Sequence, residues 1–217
     1  MFKSKNILAI GAHADDIEIN CGGTVALHVK RGDNVIILVM AEPFFTNYDG
    51  KVLRPRDIGD SEEKKAAQIL GAKVINLGFK DNSVSYSVET IEAINKIIDQ
   101  YKIDTVYTHW HHESNQDHSR TAHATISAAR YIPNILMYEP MFPNGKTYES
   151  FRSQIYVDIT STFDLKINAL KCHKSQIEKF GDGFLEAIEG RARYRGYEIG
   201  CKYAECFEVI RAIKEIK

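Results

Sequence analysis

Asn6-Ile7-Leu8-Ala9-Ile10-Gly11-Ala12-His13-Ala14-Asp15-Asp16 is the stretch on which the reading of this chain turns. Four consecutive apolar residues, Ile7 to Ile10, end at Gly11 and give way to an imidazole and two carboxylates. A short apolar run closed by glycine reads as a strand over 6–11 buried on both faces. Such strands belong to parallel sheets covered by helices on each side. In open α/β sheets, ligands bind beyond the carboxyl ends of the strands, near the point where strand order reverses. The run therefore places His13, Asp15 and Asp16 at an edge where chemistry is done.

Working outward, strands are predicted over 34–41, 73–79, 104–108 and 134–139, alternating with helices over 25–31, 61–70, 88–101 and 119–131. The last third is less regular. It reads as a strand over 154–159, a long helix over 162–180, a further helix over 183–195 and a final strand over 205–212. The alternation predicts an α/β fold with a doubly wound, mostly parallel, Rossmann-like sheet of at least five strands and helices on both faces. There is no repeat, low-complexity segment or linker, so 1–217 reads as one domain, a size that one core can fill.

Composition narrows the function. The chain has 217 residues, of which 44% are apolar and 26% charged, with a net charge of −1. That balance excludes a broad nucleic-acid footprint, which needs a basic face. The basic run Arg191-Ala192-Arg193-Tyr194-Arg195 reads as a solvated surface. No window approaches 18 uninterrupted apolar residues, so no membrane span is expected. The opening apolar run is too short for a secretory leader and lacks a cleavage site, and a cytoplasmic location is expected. Cys21, Cys172, Cys201 and Cys206 show no CxxC spacing and read as free thiols, with Cys21 a small packing residue.

A second polar cluster follows the strand at 104–108. His109-Trp110-His111-His112-Glu113-Ser114-Asn115-Gln116-Asp117-His118 holds four of the chain's eight histidines. Histidine with carboxylate is a common zinc shell, and three protein ligands with an open position make such a site catalytic. The first cluster offers His13 and an aspartate, and Asp117-His118 offers a third ligand if the two strands are neighbours. Asp15 or Asp16 also reads as an N-cap of the following helix. His173 reads as a satisfied core histidine that orients a loop or Asp15.

The segment His13-Ala14-Asp15-Asp16 through Gly22-Gly23-Thr24 resembles the AHPDD…GGT signature of the PIG-L/LmbE-like family of zinc-dependent de-N-acetylases of N-acetylglucosamine derivatives. Glu113-Ser114-Asn115-Gln116-Asp117-His118 is similar to that family's DxHxDH motif. Further likenesses follow in order: Leu77-Gly78-Phe79-Lys80-Asp81, then Ala169-Leu170-Lys171-Cys172-His173-Lys174-Ser175-Gln176, then Arg195-Gly196 with Tyr203-Ala204-Glu205-Cys206-Phe207. The resemblance runs from about residue 8 to residue 207. It implies His13, Asp16 and His118 as metal ligands, Asp15 as general base and Asp81 as a substrate contact. It implies Zn²⁺ as cofactor, with Fe²⁺ or Mn²⁺ also compatible with a carboxylate ligand.

Three departures matter. Ala14 stands where the family has proline, Glu113 where it has aspartate, and Asn115 where it often has a histidine beside the oxyanion. Asn115 can donate a hydrogen bond but cannot act as an acid. The leaving-group acid is thereby left open, with His111 and His112 candidates by proximity. The family arginine before the second helix falls on Arg54 or Arg56. The expected activity is removal of acetate from a small N-acetyl sugar, either a sugar-nucleotide or polysaccharide precursor or a glycoside of a small thiol precursor. The alternative is a non-catalytic metal- or sugar-binding protein of the same fold. A Rossmann dinucleotide site is excluded because Gly11 and Gly22-Gly23 do not form GxGxxG. Homo-oligomerisation is left open.

Overall fold

The computed structural model describes residues 5–141, 147, 149–181 and 183–213. Its elements run β1 (Asn6–Gly11), α1 (Asp16–Lys30), β2 (Asn34–Ala41), β3 (Phe45–Thr46), β4 (Val52–Arg54), α2 (Arg56–Leu70), β5 (Lys73–Phe79), α3 (Val88–Tyr101), β6 (Thr105–Thr108), α4 (Gln116–Ala128), β7 (Asn134–Tyr138), β8 (Ile155–Asp158), α5 (Phe163–Leu170), α6 (Lys174–Phe180), α7 (Gly183–Ile199) and β9 (Ala204–Arg211). A seven-stranded sheet has the order β5-β2-β1-β6-β7-β9-β8. The first five strands are parallel, and β9 pairs antiparallel with β7 and with β8.

Alternation along the strands divides the core. Ile7, Ala9, Val35, Ile37 and Val39 face α1, α2 and α5, against Ile17, Val25, Ala66, Leu70 and Ala169. Leu8, Ile10, Ile36 and Leu38 face α3 and α4, against Ile94, Ile98, Ala124 and Ala128. Helices thus cover both faces, which is why β1 and β2 are near-continuous apolar runs. The chain winds from β1 through β2 to β5, then returns to β6 on the other side of β1. The switch in strand order lies between β1 and β6, so both polar clusters leave the sheet side by side at its carboxyl edge. Among the described residues, no helix is long and apolar enough to cross a membrane.

Several elements depart from the sequence reading. α1 starts at Asp16, nine residues before the predicted 25–31, because its first turn buries Asp16, Glu18 and Asn20 and so shows no amphipathic stripe. It is kinked at Cys21, which has φ −142° and ψ 19°. The kink frees backbone groups that the C-terminal third satisfies. Glu205 accepts from the Gly23 amide at 3.0 Å, the Thr24 amide at 2.7 Å and the Thr24 hydroxyl at 2.6 Å. Lys166 Nζ donates to the Ile19 carbonyl at 2.9 Å and to Glu205, and Arg191 donates to that carbonyl at 2.6 Å. A Cβ on Gly23 would lie 2.7 Å from Ile159, so only glycine fits there.

The helix predicted over 162–180 is two helices. The break falls at His173, whose backbone leaves the helical region at φ −81° and ψ 60° while its ring turns inward to Glu18, with Nε2 to Oε2 at 3.6 Å. α2 begins at Arg56 behind Pro55, earlier than the predicted 61, and the β3–β4 hairpin before it had no sequence signal long enough to read. α4 starts at Gln116, three residues early, because Asn115 caps it. The basic run is not simply solvated. Arg191 reaches α1, and Arg195 bonds Glu139.

Candidate active site

The loop after β1 carries His13, Asp15 and Asp16, and the loop after β6 together with the first turn of α4 carries His109 to His118. They meet at one end of a cavity of about 360 Å³. His13 Nδ1 lies 3.1 Å from His118 Nε2, and His118 Nε2 lies 3.5 Å from Asp16 Oδ1. His13 Nδ1 is 3.7 Å from Asp16 Oδ2. Ligand bonds of 2.0–2.1 Å in a tetrahedron place neighbouring donors about 3.3 Å apart, so these three side chains fit a single divalent ion.

The surroundings support the same fit. Glu113 bonds His118 Nδ1, which leaves Nε2 free to ligate. Asp117 is fully buried, has no hydrogen-bond partner among the described residues, and holds Oδ2 at 3.4 Å from His13 Nε2. Asp81 Oδ1 is 3.3 Å from the same nitrogen. Carboxylates behind ligating imidazoles fix ring orientation and raise ligand basicity. The charge balance points the same way. Burial disfavours charge on His13, yet Asp117, Asp81 and Asp16 outweigh it and raise its pKa to about 10. Burial likewise disfavours charge on His109, and Asp16 and Glu113 raise its pKa to about 9. The carboxylates demand positive charge here, supplied either by protons or by a cation.

Asp15 is different from its neighbour. It precedes α1 at φ 135°, a strained conformation for a non-glycine residue, and its side chain makes no capping hydrogen bond. The capping reading therefore falls, and the side chain lines the cavity instead. Burial, followed by the adjacent Asp16 charge, raises its pKa to about 6. Backbone strain of this kind persists only where surrounding structure enforces it. Asp16 is held well below the usual carboxylate range, because His118, His109 and His13 together outweigh the cost of its burial.

The other predicted residues sort by position. Asp81 and Arg54 line the cavity, and Arg54 donates to the Ala14 carbonyl at 3.3 Å, bracing the Asp15 loop. Arg56 does not line it; it is exposed and paired with Glu42, so of the two arginines only Arg54 reaches the cavity. Asn115 lines the cavity, but its Oδ1 accepts from the amides of Asp117 at 2.9 Å and His118 at 3.4 Å. Only its amide NH₂ is left to face a ligand. His111 and His112 do not line the cavity, and His111 Nδ1 sits 3.1 Å from Met137 Sδ.

Sequence reasoning missed His109 as a site residue. Its Nε2 lies 3.0 Å from both Asp16 Oδ2 and the Ala12 amide, and its ring stacks on His118 at 4.0 Å. The signal was its place directly after β6, matching that of the first cluster after β1. Also missed was the outer wall: Phe45, Gln176, Lys179, Phe180 and Phe184.

The chain is similar in sequence and fold to known proteins. The family described as PIG-L, GlcNAc-PI de-N-acetylase, matches residues 8–129. An uncharacterized deacetylase, YaiS, of Escherichia coli K12 is 35% identical over 80% of this chain and 92% of its own. The structure of N,N'-diacetylchitobiose deacetylase from Pyrococcus horikoshii superposes with a TM-score of 0.79 at 26% identity, covering 96% of this chain and 84% of that one. A 4-oxalmesaconate hydratase of Pseudomonas putida is 24% identical over 79% of this chain and 74% of its own.

Proposed function

The chain belongs to the PIG-L family of de-N-acetylases, and from that premise we propose that it hydrolyses the acetamide of an N-acetylated amino sugar with the help of zinc. The observation that carries this reading is the pairing of Asp15 with the His13, Asp16 and His118 set at the end of a sugar-sized cavity. His13, Asp16 and His118 would hold the ion. Zinc there supplies Lewis acidity toward an amide carbonyl and lowers the pKa of water.

The chain's own residues do the rest. Asp15 takes the proton of the attacking water, a task that suits a carboxyl group whose pKa is raised toward neutrality. The amide NH₂ of Asn115 donates to the carbonyl oxygen as it gains charge. Asn115 has no acidic proton to give the leaving amine, and His111 and His112 do not line the cavity. Asp15 therefore returns its proton to that nitrogen as the C–N bond breaks, giving free amine and acetate. Arg54 and Asp81 hold the sugar hydroxyls against the cavity wall. Glu113 and Asp117 keep the imidazoles aligned.

The test is acetate release from N-acetylglucosamine glycosides by metal-free protein to which zinc is added back. Release that depends on zinc is the expected result. Full zinc occupancy with no acetate released, or turnover of 4-oxalmesaconate instead, would overturn the reading in favour of a binding protein or a hydratase like the P. putida relative.

A further inference from the structure

A chain of alternating carboxylates and imidazoles runs behind the proposed ion site. It starts at Asp16, whose Oδ1 faces His118 and whose Oδ2 lies 3.0 Å from His109 Nε2. His109 Nδ1 is 3.4 Å from Glu113 Oε1, and Glu113 Oε2 bonds His118 Nδ1. The chain thus leaves one proposed ligand by its outer oxygen and ends on the outer nitrogen of another. Those two ligands belong to different parts of the chain, one after β1 and one on α4, and His109 bridges them from behind.

The bridge is rigid. His109 is fully buried, stacks on His118 with ring centroids 4.0 Å apart and meets Tyr138 edge-on at 4.9 Å. The Tyr138 hydroxyl donates to the Ile10 carbonyl at 2.9 Å, so that ring is itself fixed to the end of β1. His109, Glu113 and His118 also lie close enough together to share an ion. Yet both His109 nitrogens are occupied: Nε2 has the Ala12 amide at 3.0 Å as well as Asp16, and Nδ1 has Glu113. That arrangement suits a residue that holds ligands better than one that ligates.

We propose that His109 is a positioning residue: through Glu113 it ties Asp16 to His118, so that these two ligands take up the ion as one preset unit. The proposal rests on the reading of His13, Asp16 and His118 as the ion's ligands. Holding donors in place before the ion arrives reduces the entropy lost on binding. A break anywhere along the chain frees both ligands, so breaks at His109 and at Glu113 do not add as independent sites would.

The experiment measures the zinc affinity of metal-free protein against a chelating dye, for wild type, His109→Asn, His109→Gln, Glu113→Gln and the double variant His109→Gln/Glu113→Gln. An asparagine amide reaches as far as Nδ1 and keeps the Glu113 contact; a glutamine amide reaches as far as Nε2 and keeps the Asp16 contact. Each single variant should bind zinc about 10–100-fold more weakly. The double variant should bind within about twofold of the weaker single one, far short of the product of the two losses. The visible bands of cobalt-loaded protein should shift in both His109 variants, because they report the arrangement of donors and not the stability of the fold. Urea unfolding of the metal-free proteins gives the folded fraction on which affinities are compared. Wild-type zinc affinity and cobalt bands in folded His109→Asn and His109→Gln would overturn the proposal, as would losses that multiply in the double variant. Loss of stoichiometric zinc from both His109 variants would make His109 a ligand and overturn it as well. His118→Ala separates the proposal from the ligand assignment. If that variant keeps full zinc occupancy, the assignment fails and the proposal with it; if it loses zinc while the His109 variants bind as wild type does, the proposal fails alone. Acetate release takes no part in these measurements, so the hydrolase reading stands or falls separately.

Discussion

Glu113 bonds the Nδ1 of His118, and in doing so aims Nε2 at Asp16 and His13. Outer carboxylates of this kind change metal affinity by about 10–100-fold. Glu113→Gln should therefore fold normally and bind zinc more weakly by that factor, read by competition with a chelating dye. His118→Ala should lose stoichiometric zinc altogether. Full occupancy in His118→Ala would remove His118 from the ligand set.

Asp15→Asn and Asp16→Asn should behave oppositely although the residues are adjacent. Asp15 makes no capping bond, so its amide variant should keep the fold and the metal. It should lose about 10²–10⁴-fold in turnover, the usual contribution of a general base. Asp16→Asn should lose metal first. Turnover at saturating zinc, measured beside occupancy, separates the two, and wild-type turnover in Asp15→Asn would contradict the mechanism.

Asn115 carries two roles on two atoms. Its Oδ1 caps α4, and its NH₂ faces the cavity. Asn115→Asp keeps the cap and loses the donor, so stability should hold while kcat falls about 10²-fold. Asn115→Ala loses both and should cost about 1 kcal/mol of stability as well. Urea unfolding beside steady-state kinetics would show whether the roles separate this way.

Glu205→Ala should be among the most damaging single changes outside the cavity. It strands the buried Lys166 ammonium and the amides of Gly23 and Thr24. Breaking a buried pair from one side costs about 3–5 kcal/mol. Glu205→Gln, which keeps the shape and still accepts hydrogen bonds, should cost less, and equal losses for the two variants would show that the negative charge alone is at stake.

His28 gives a pH signature. Burial lowers its pKa, although Asp33, 2.7 Å from Nδ1, pulls the other way. A histidine with a depressed folded pKa stabilises the protein fully above its unfolded value, near 6.5. That contribution is lost as pH falls through the folded value, because the unfolded chain takes up the proton first. The stability difference between wild type and His28→Gln should shrink from pH 8 to pH 5 in urea titrations. A difference that grows on acidification would reverse the sign argued here.

The parallel half of the fold was legible because its strands are buried on both faces and its glycines punctuate them. The residues proposed as ligands stood out because strand ends concentrate them. What was hidden follows from long-range burial. Asp16, Glu18 and Asn20 made the start of α1 look like a loop, and their partners His109, His173 and Arg191 lie far along the chain. His173 breaks a helix to reach Glu18, which no local period reveals. Arg54 and Arg56 differ by two positions, and only the β3–β4 hairpin decides which one faces the cavity.

The clamp on α1 also sets an order of events. The loop carrying Asp15 and Asp16 follows β1, early in the chain's order of strands, yet the glutamate that fixes the kink beside it is 181 residues after Thr24. Contacts of such sequence separation form slowly and late. The parallel strands can assemble while the corner holding Asp15 and Asp16 still lacks its brace. A nascent chain halted before β9 would own every predicted metal ligand and the general base, and would still lack the support that holds them in register. Competence for the proposed chemistry arrives with β9.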